Sequence, residues 1–117
     1  MTLNHVSLET RRADVDAELA FWALLGFAEV RPPEGLVGVA SWVARAGTQI
    51  HLLYADEPVV MPEGHVAVVA DDYDAALARL RDAGFEIRPA REHWGAARGF
   101  VHTPAGHVVE VMAAPPP

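Results

Sequence analysis

Three histidines and one glutamate stand at matching places in two halves of the sequence. The first half reads His5-Val6, then Asp14, then Leu25-Gly26-Phe27, with Gly47 four residues ahead of His51. The second reads His65-Val66, then Asp72, then Ala83-Gly84-Phe85, with Gly106 four residues ahead of Glu110. His5 precedes His51 by 46 positions and His65 precedes Glu110 by 45. Imidazole and carboxylate suit zinc, nickel, iron, manganese or cobalt, and the absence of Cys removes any thiolate ligand. Three His and one Glu would fill four positions of an octahedron and leave two for water or substrate. A substrate with adjacent oxygens would chelate such a metal, which would act as a Lewis acid toward an enediolate or alkoxide. Glu110 would serve as the base if it left the metal, with His51 as the runner-up.

The elements that must position these residues can be read from period and punctuation. Residues 3–9 alternate as a strand. Asp14 is an N-cap candidate, and Asp16 and Glu18 occupy the favourable first turn of a helix. Val15, Leu19, Trp22 and Leu25 follow at helical spacing, and Gly26 stops the helix as a left-handed cap. Residues 27–31 read as a short strand and 32–35 as a turn. Residues 37–44 and 48–54 form a hairpin around Gly47. Residues 56–64, with two Pro and one Gly, read as a linker. The same order then repeats. There is a strand over 65–70, and a helix from Asp72 with Tyr73, Leu77, Leu80 and Ala83 on one face and Gly84 as its stop. A short strand over 85–89 follows, and a hairpin of 99–103 with 108–112. The tail at 115–117 is expected to fray. The two helices align with a constant offset of 58, which pairs Asp14 with Asp72 and Gly26 with Gly84. The expectation is β-α-β-β-β twice, in one domain: module one over 1–55, the linker, and module two over 65–112.

Strand alternation supports the ligand set. Gln49, His51 and Leu53 share one face of their strand, and Ile50, Leu52 and Tyr54 the other. Glu110 opposes Val109 and Val111, His5 opposes Val6, and His65 opposes Val66. Each candidate ligand is thus expected on the face away from its module's core. A lone strand histidine usually just makes hydrogen bonds; the symmetric placement of four ligand-type residues favours a metal site.

Composition narrows the partners. At 117 residues with 51% apolar and 21% charged residues, the chain has the make-up of one globular domain. All nine basic residues are Arg and the net charge is −7, which argues against nucleic acid. No apolar run approaches a membrane span and no leader pattern opens the chain, so a cytoplasmic protein is expected.

The motifs resemble the vicinal oxygen chelate superfamily, which includes glyoxalase I, bleomycin resistance proteins, fosfomycin resistance enzymes, methylmalonyl-CoA epimerases and extradiol dioxygenases. The matching residues are His5-Val6, Phe21-Trp22-Ala23-Leu24-Leu25-Gly26-Phe27, Gly64-His65-Val66-Ala67 and Pro104-Ala105-Gly106-His107-Val108-Val109-Glu110-Val111. The resemblance implies an α+β fold of two βαβββ modules pairing into a half-open barrel around a cleft. It further implies a homodimer, a small-molecule substrate, and a divalent metal held by His5, His51, His65 and Glu110. His51 departs from the pattern, because glyoxalase I enzymes carry Glu there and the epimerases Gln. A ring-cleaving dioxygenase would need only His5, His65 and Glu110.

Further residues are candidates for binding substrate. Trp42, central in its strand, is core or cleft wall. His93 and Trp94 could line the cleft with Arg98, and Arg45 or Arg98 could hold an anionic group. His102 and His107 are weaker, and His107, after a hairpin Gly, is expected at the surface. Trp22 and Phe21 read as helix–sheet packing. Two functions stay in view: a metal-dependent enzyme of lyase or isomerase type, and a metal-free binding protein of the bleomycin-resistance sort that sequesters an aromatic or cationic compound. No phosphate loop or nucleophile elbow is present.

Overall fold

A computed structural model describes residues 1–117. The chain divides into two compact units, Met1–Val60 and Met61–Pro117. Unit 1 runs β1 (His5–Thr10), α1 (Val15–Leu24), β2 (Ala28–Val30), β3 (Ala40–Arg45) and β4 (Thr48–Tyr54). Unit 2 runs β5 (His65–Val69), α2 (Tyr73–Asp82), β6 (Arg88–Pro89), β7 (Arg98–His102) and β8 (Val108–Met112). The sheets have matching orders, β1-β4-β3-β2 and β5-β8-β7-β6. In each, the first strand pairs in parallel with the last, and the other pairs are antiparallel. A parallel pair needs a long crossover, and the helix with its following two strands supplies it. Each unit is therefore an open-sheeted βαβββ module of an α+β fold.

The repeated Gly-Phe pair has a physical reason. Gly26 and Gly84 have φ of 86° and 92°, a conformation that costs Gly little and other residues more. At the end of α1, Gly26 N–H donates to Ala23 O at 3.0 Å and Phe27 N–H to Trp22 O at 3.0 Å. At the end of α2, Gly84 N–H donates to Arg81 O at 2.9 Å and Phe85 N–H to Leu80 O at 3.0 Å. These are paired Schellman closures, and the hydrophobic contact that accompanies them is Phe27 edge-on to Trp22, 5.4 Å between centroids. Because Phe27 and Phe85 belong to the helix ends, β2 and β6 begin later than the sequence suggested. β3 likewise starts at Ala40, since Gly38 at φ 87° breaks the extended run.

The helix starts differ between the units. Asp72 has extended backbone angles, and its carboxylate accepts from Ala75 N–H at 3.0 Å. Asp14 closes a 3-10 turn, Arg12–Asp14, with helical angles, and its side chain makes no capping bond. The buried face of α1 also differs from the expected one. Val15, Glu18, Phe21 and Trp22 are buried there, whereas Leu19 and Leu25 are only half-buried. Glu18 is tolerated inside partly because Trp22 Nε1–H donates to its carboxylate at 3.3 Å. On α2, Ala76, Leu77 and Leu80 are buried, Tyr73 is half-buried and Ala83 is exposed.

The sheet faces toward the helices carry the cores. Val43, Ile50 and Leu52 are buried in unit 1, and Val101, Val109 and Val111 in unit 2. Phe21 and Trp22, at 1% and 0% exposed, form the packing expected of them, and truncating either to Ala would cost about 3–5 kcal/mol. No helix is long and apolar enough to cross a membrane.

Candidate metal centre

Turn geometry sets where the buried candidates stand. Ala46 and Gly47, both at positive φ, make the two-residue turn between β3 and β4. Between β7 and β8, Gly106 at φ 92° lets Gly106 N–H donate to Thr103 O and Thr103 N–H to His107 O, each at 2.8 Å. His51 and Glu110 each follow such a left-handed Gly by four residues. The register then repeats between units. His5 pairs with Gln49, two residues before His51, and His65 pairs with Val108, two residues before Glu110. Across the antiparallel pair, Trp42 stands opposite His51 and Phe100 opposite Glu110. β4 and β8 are interior strands, so His51 and Glu110 are each only 6% exposed, while His5 and His65 on edge strands are exposed.

In unit 1 the three rings stack. His51 lies 3.9 Å from His5 with 16° between planes, and 3.8 Å from Trp42 with 0°. Since β4 runs between β1 and β3, His51 is sandwiched and its ring rotation is blocked. Its Nε2 is 2.7 Å from Gln49 Oε1, an acceptor, so the proton belongs on Nε2 and the lone pair on Nδ1. Burial, and secondarily the neighbouring His5, hold the His51 pKa below the usual imidazole value. Trp42 Nε1–H is buried with no acceptor.

In unit 2 the logic is tighter. His65 Nδ1 lies 2.9 Å from the Glu63 carbonyl, which can only accept, so Nδ1 carries a proton. His65 Nε2 then faces Glu110 Oε2 at 3.1 Å. Either Nε2 is also protonated, giving an ion pair, or its lone pair and the carboxylate face a shared cation. A backbone carbonyl on the far nitrogen is the usual support of a metal-binding His. A separation of 3.1 Å is that of a hydrogen bond, and it is also short enough for His65 Nε2 and Glu110 Oε2 to bind one ion together.

Arg98 was expected to bind substrate, and its guanidinium is already engaged. Nη1 donates to Glu110 Oε1 at 3.0 Å and Nε donates to Arg91 O at 2.8 Å. Trp94 and Phe100 each lie 5.5 Å from its charge centre. Trp94 Nε1–H in turn donates to Ala114 O at 2.9 Å. His93 is exposed on the loop between β6 and β7, and His102 is exposed on β7. His107 corrects the expectation of a surface residue: it is 5% exposed, and its backbone N–H donates to Thr103 Oγ1 at 3.1 Å where the turn closes back on β7. Each unit thus brings its own two candidates together, and in neither unit do three or more His, Asp or Glu side chains group to hold one ion.

Sequence reasoning missed three features. One is the Arg98–Glu110 pair, which a strand parity count cannot reveal. Another is the His51 ring sandwich. The third is an open groove of about 430 Å³ in unit 1, lined by residues that include Glu29, Arg31, Ser41 and Tyr54. There Ser41 Oγ and the Tyr54 hydroxyl are 2.5 Å apart, on the sheet face opposite His51.

Residues 2–111 match the profile of the Glyoxalase/Bleomycin resistance protein/Dioxygenase superfamily. The chain belongs to that superfamily. Within it, the chain is 30% identical over 122 residues to Glyoxylase I 4 of Arabidopsis thaliana, which covers 94% of this chain and 69% of the plant protein. A crystal structure assigned to the glyoxalase family from Bacillus anthracis superposes with a TM-score of 0.85 at 20% identity, covering 96% of this chain and 93% of that one. The E126Q mutant of the fosfomycin resistance protein FosX from Listeria monocytogenes, complexed with Mn(II) and 1S,2S-dihydroxypropylphosphonic acid, superposes with a TM-score of 0.76 at 19% identity. It covers 97% of this chain and 93% of that one. At such identities the two structures speak for the superfamily fold.

Proposed function

We propose that this superfamily member is a divalent-metal-dependent enzyme of lyase or isomerase type, acting on a small substrate with adjacent oxygens. His65 and Glu110 are the firmest ligands in this reading, and His51 keeps its one free lone pair, on Nδ1, for a proton. The observation that carries it is the 3.1 Å approach of His65 Nε2 to Glu110 Oε2, with the far nitrogen tied to Glu63 O. The 30% identity to a plant glyoxalase I-like protein supports it. When bound, the metal supplies Lewis acidity toward a developing enediolate or alkoxide.

The chain's own residues do the rest. Glu63 O fixes the tautomer of His65. Arg98 holds Glu110 Oε1, which makes Glu110 a poor swinging base. His51, held in one plane by His5 and Trp42 and kept unprotonated at neutral pH, is the better proton acceptor. Trp42 and Trp94 serve as apolar walls near these groups.

A second reading has an observation of its own. Arg98 and His65 already satisfy both Glu110 oxygens, which favours a metal-free protein that sequesters an aromatic or cationic compound. Elemental analysis separates the two. The untagged protein is dialysed and reloaded with zinc, nickel, iron, manganese or cobalt, beside His65→Ala. About one metal per chain in the wild type, lost in H65A, supports the enzyme reading and directs screening to α-oxo and vicinal-diol substrates. No retained metal after reloading sinks it and leaves the binding protein.

A further inference from the structure

The groove of unit 1 opens on the sheet face opposite His51. Its volume of about 430 Å³ falls in the range of small-molecule sites, roughly 300–1,000 Å³. Strand register explains its lining. Glu29 pairs with Val43, so its side chain stands on the same face as that core residue. Arg31 follows β2 by one residue, and the register that pairs Val30 with Trp42 brings it level with Ser41. Two charges of opposite sign thus share one face of an edge strand, about 7 Å apart along the chain. Both are exposed, and no hydrogen bond or ion pair engages either side chain. Ser41 Oγ and the Tyr54 hydroxyl lie between β3 and β4, 2.5 Å apart. Two hydroxyls hold two protons and their mutual bond uses one, so one O–H remains to donate to a ligand. Pro32 and Val37 give the groove apolar surface. Arg12 is already committed: it donates to Gly38 O, and its charge centre lies 4.8 Å from the centre of the Tyr54 ring. That contact braces the Tyr54 side of the groove and leaves Arg31 as its free cation.

From this we infer that the groove binds a small zwitterion, a free α-amino acid with a branched apolar side chain. The ligand carboxylate takes the Arg31 guanidinium, whose planar fork suits two oxygens, and the spare O–H of the Ser41–Tyr54 pair. The ammonium takes Glu29. Both ligand charges sit on one carbon, and the long Glu and Arg side chains converge on it from neighbouring positions of the same face. The branched side chain covers Pro32 and Val37. A net anion suits the groove less well, because Glu29 flanks Arg31 and the whole chain carries a charge of −7, whereas a zwitterion adds no net charge. Binding there needs no metal and no residue of unit 2.

The test is a titration of the metal-free protein, with a chelator present, followed by nitrogen–proton correlation NMR. The probes are L-leucine, isocaproate, which lacks its ammonium, and isoamylamine, which lacks its carboxylate. Leucine should shift the amides of residues 29–31, 37–41 and 54, and bind about fivefold tighter than either half-probe, the worth of one exposed charge contact. Arg31→Met should lower the leucine affinity to that of isoamylamine, and Glu29→Gln to that of isocaproate. Both side chains are exposed, so melting points should stay at the wild-type value. Leucine that leaves those amides unmoved at about 10 mM, or moves them equally in the wild type and both variants, would overturn the site. Isocaproate binding as tightly as leucine would remove Glu29 from the site and with it the zwitterion.

Discussion

Replacing Glu110 by Ala should destabilise the metal-free protein, quite apart from any effect on metal. Glu110 is 6% exposed and accepts from Arg98 at 3.0 Å and faces His65 at 3.1 Å. Removing one partner of a fully buried ion pair costs about 3–5 kcal/mol, because the other charge is left uncompensated. Here the Arg98 side chain is 13% exposed and that of His65 33%, and Arg98 keeps its bond to Arg91 O. These features lower the expected cost to about 2–3 kcal/mol. The unfolding entropy of about 2.1 cal/mol/K per residue, over 117 residues, converts this to a drop in Tm of about 8–12 °C. Glu110→Gln keeps an acceptor for Arg98 and should lose only about 1 kcal/mol, roughly 4 °C. The double variant E110A/R98M should be less destabilised than the sum of its singles, since the orphaned charge is gone. The assay is thermal unfolding by circular dichroism in the presence of a chelator. An E110A melting point within about 2 °C of the wild type would refute the reasoning and show that the pair is a solvated surface contact. The outcome also decides how metal loss in a Glu110 variant can be interpreted, which is why His65→Ala is the cleaner test of ligation.

Other outcomes follow from local geometry. Asp72→Ala should lose about 1 kcal/mol with its capping bond, whereas Asp14→Ala, which has no such bond, should lose only about 0.3 kcal/mol of dipole interaction; parallel urea melts check the contrast. Ala46→Asn should gain about 0.5–1 kcal/mol, because Ala46 has φ of 48° in a turn that favours Asn-Gly, and an unchanged melting point would count against that turn. The lowered pKa of His51 makes a pH prediction. Between the unfolded value near 6.5 and the lower folded value, the unfolded chain holds a proton that the folded chain lacks, so this contribution to stability is full above pH 6.5 and is lost as pH falls through the window. In metal-free protein, His51→Gln should flatten the pH dependence of Tm below 6.5, and an unaltered slope would remove His51 as its source.

The sequence by itself determined the modular plan. Two copies of strand, Asp, helix, Gly-Phe and Gly-started strand were legible because their signals are local. Left-handed glycines end helices and tighten turns within a few residues, and strand alternation follows from backbone pleating. The same local rules placed His5, His51, His65 and Glu110 on the faces away from the cores. Tertiary structure decided what those faces contain. Whether Asp14 caps depended on a preceding 3-10 turn. Whether Leu19 or Glu18 is buried depended on how α1 packs on its sheet, and the burial of His107 depended on the packing around its loop. The ring sandwich around His51 and the Arg98–Glu110 pair arise from register across three strands, between residues remote in sequence. Side-chain direction, screening and charge balance are set there, so the chemistry of the candidate centre had to be read from packed neighbours and not from spacing.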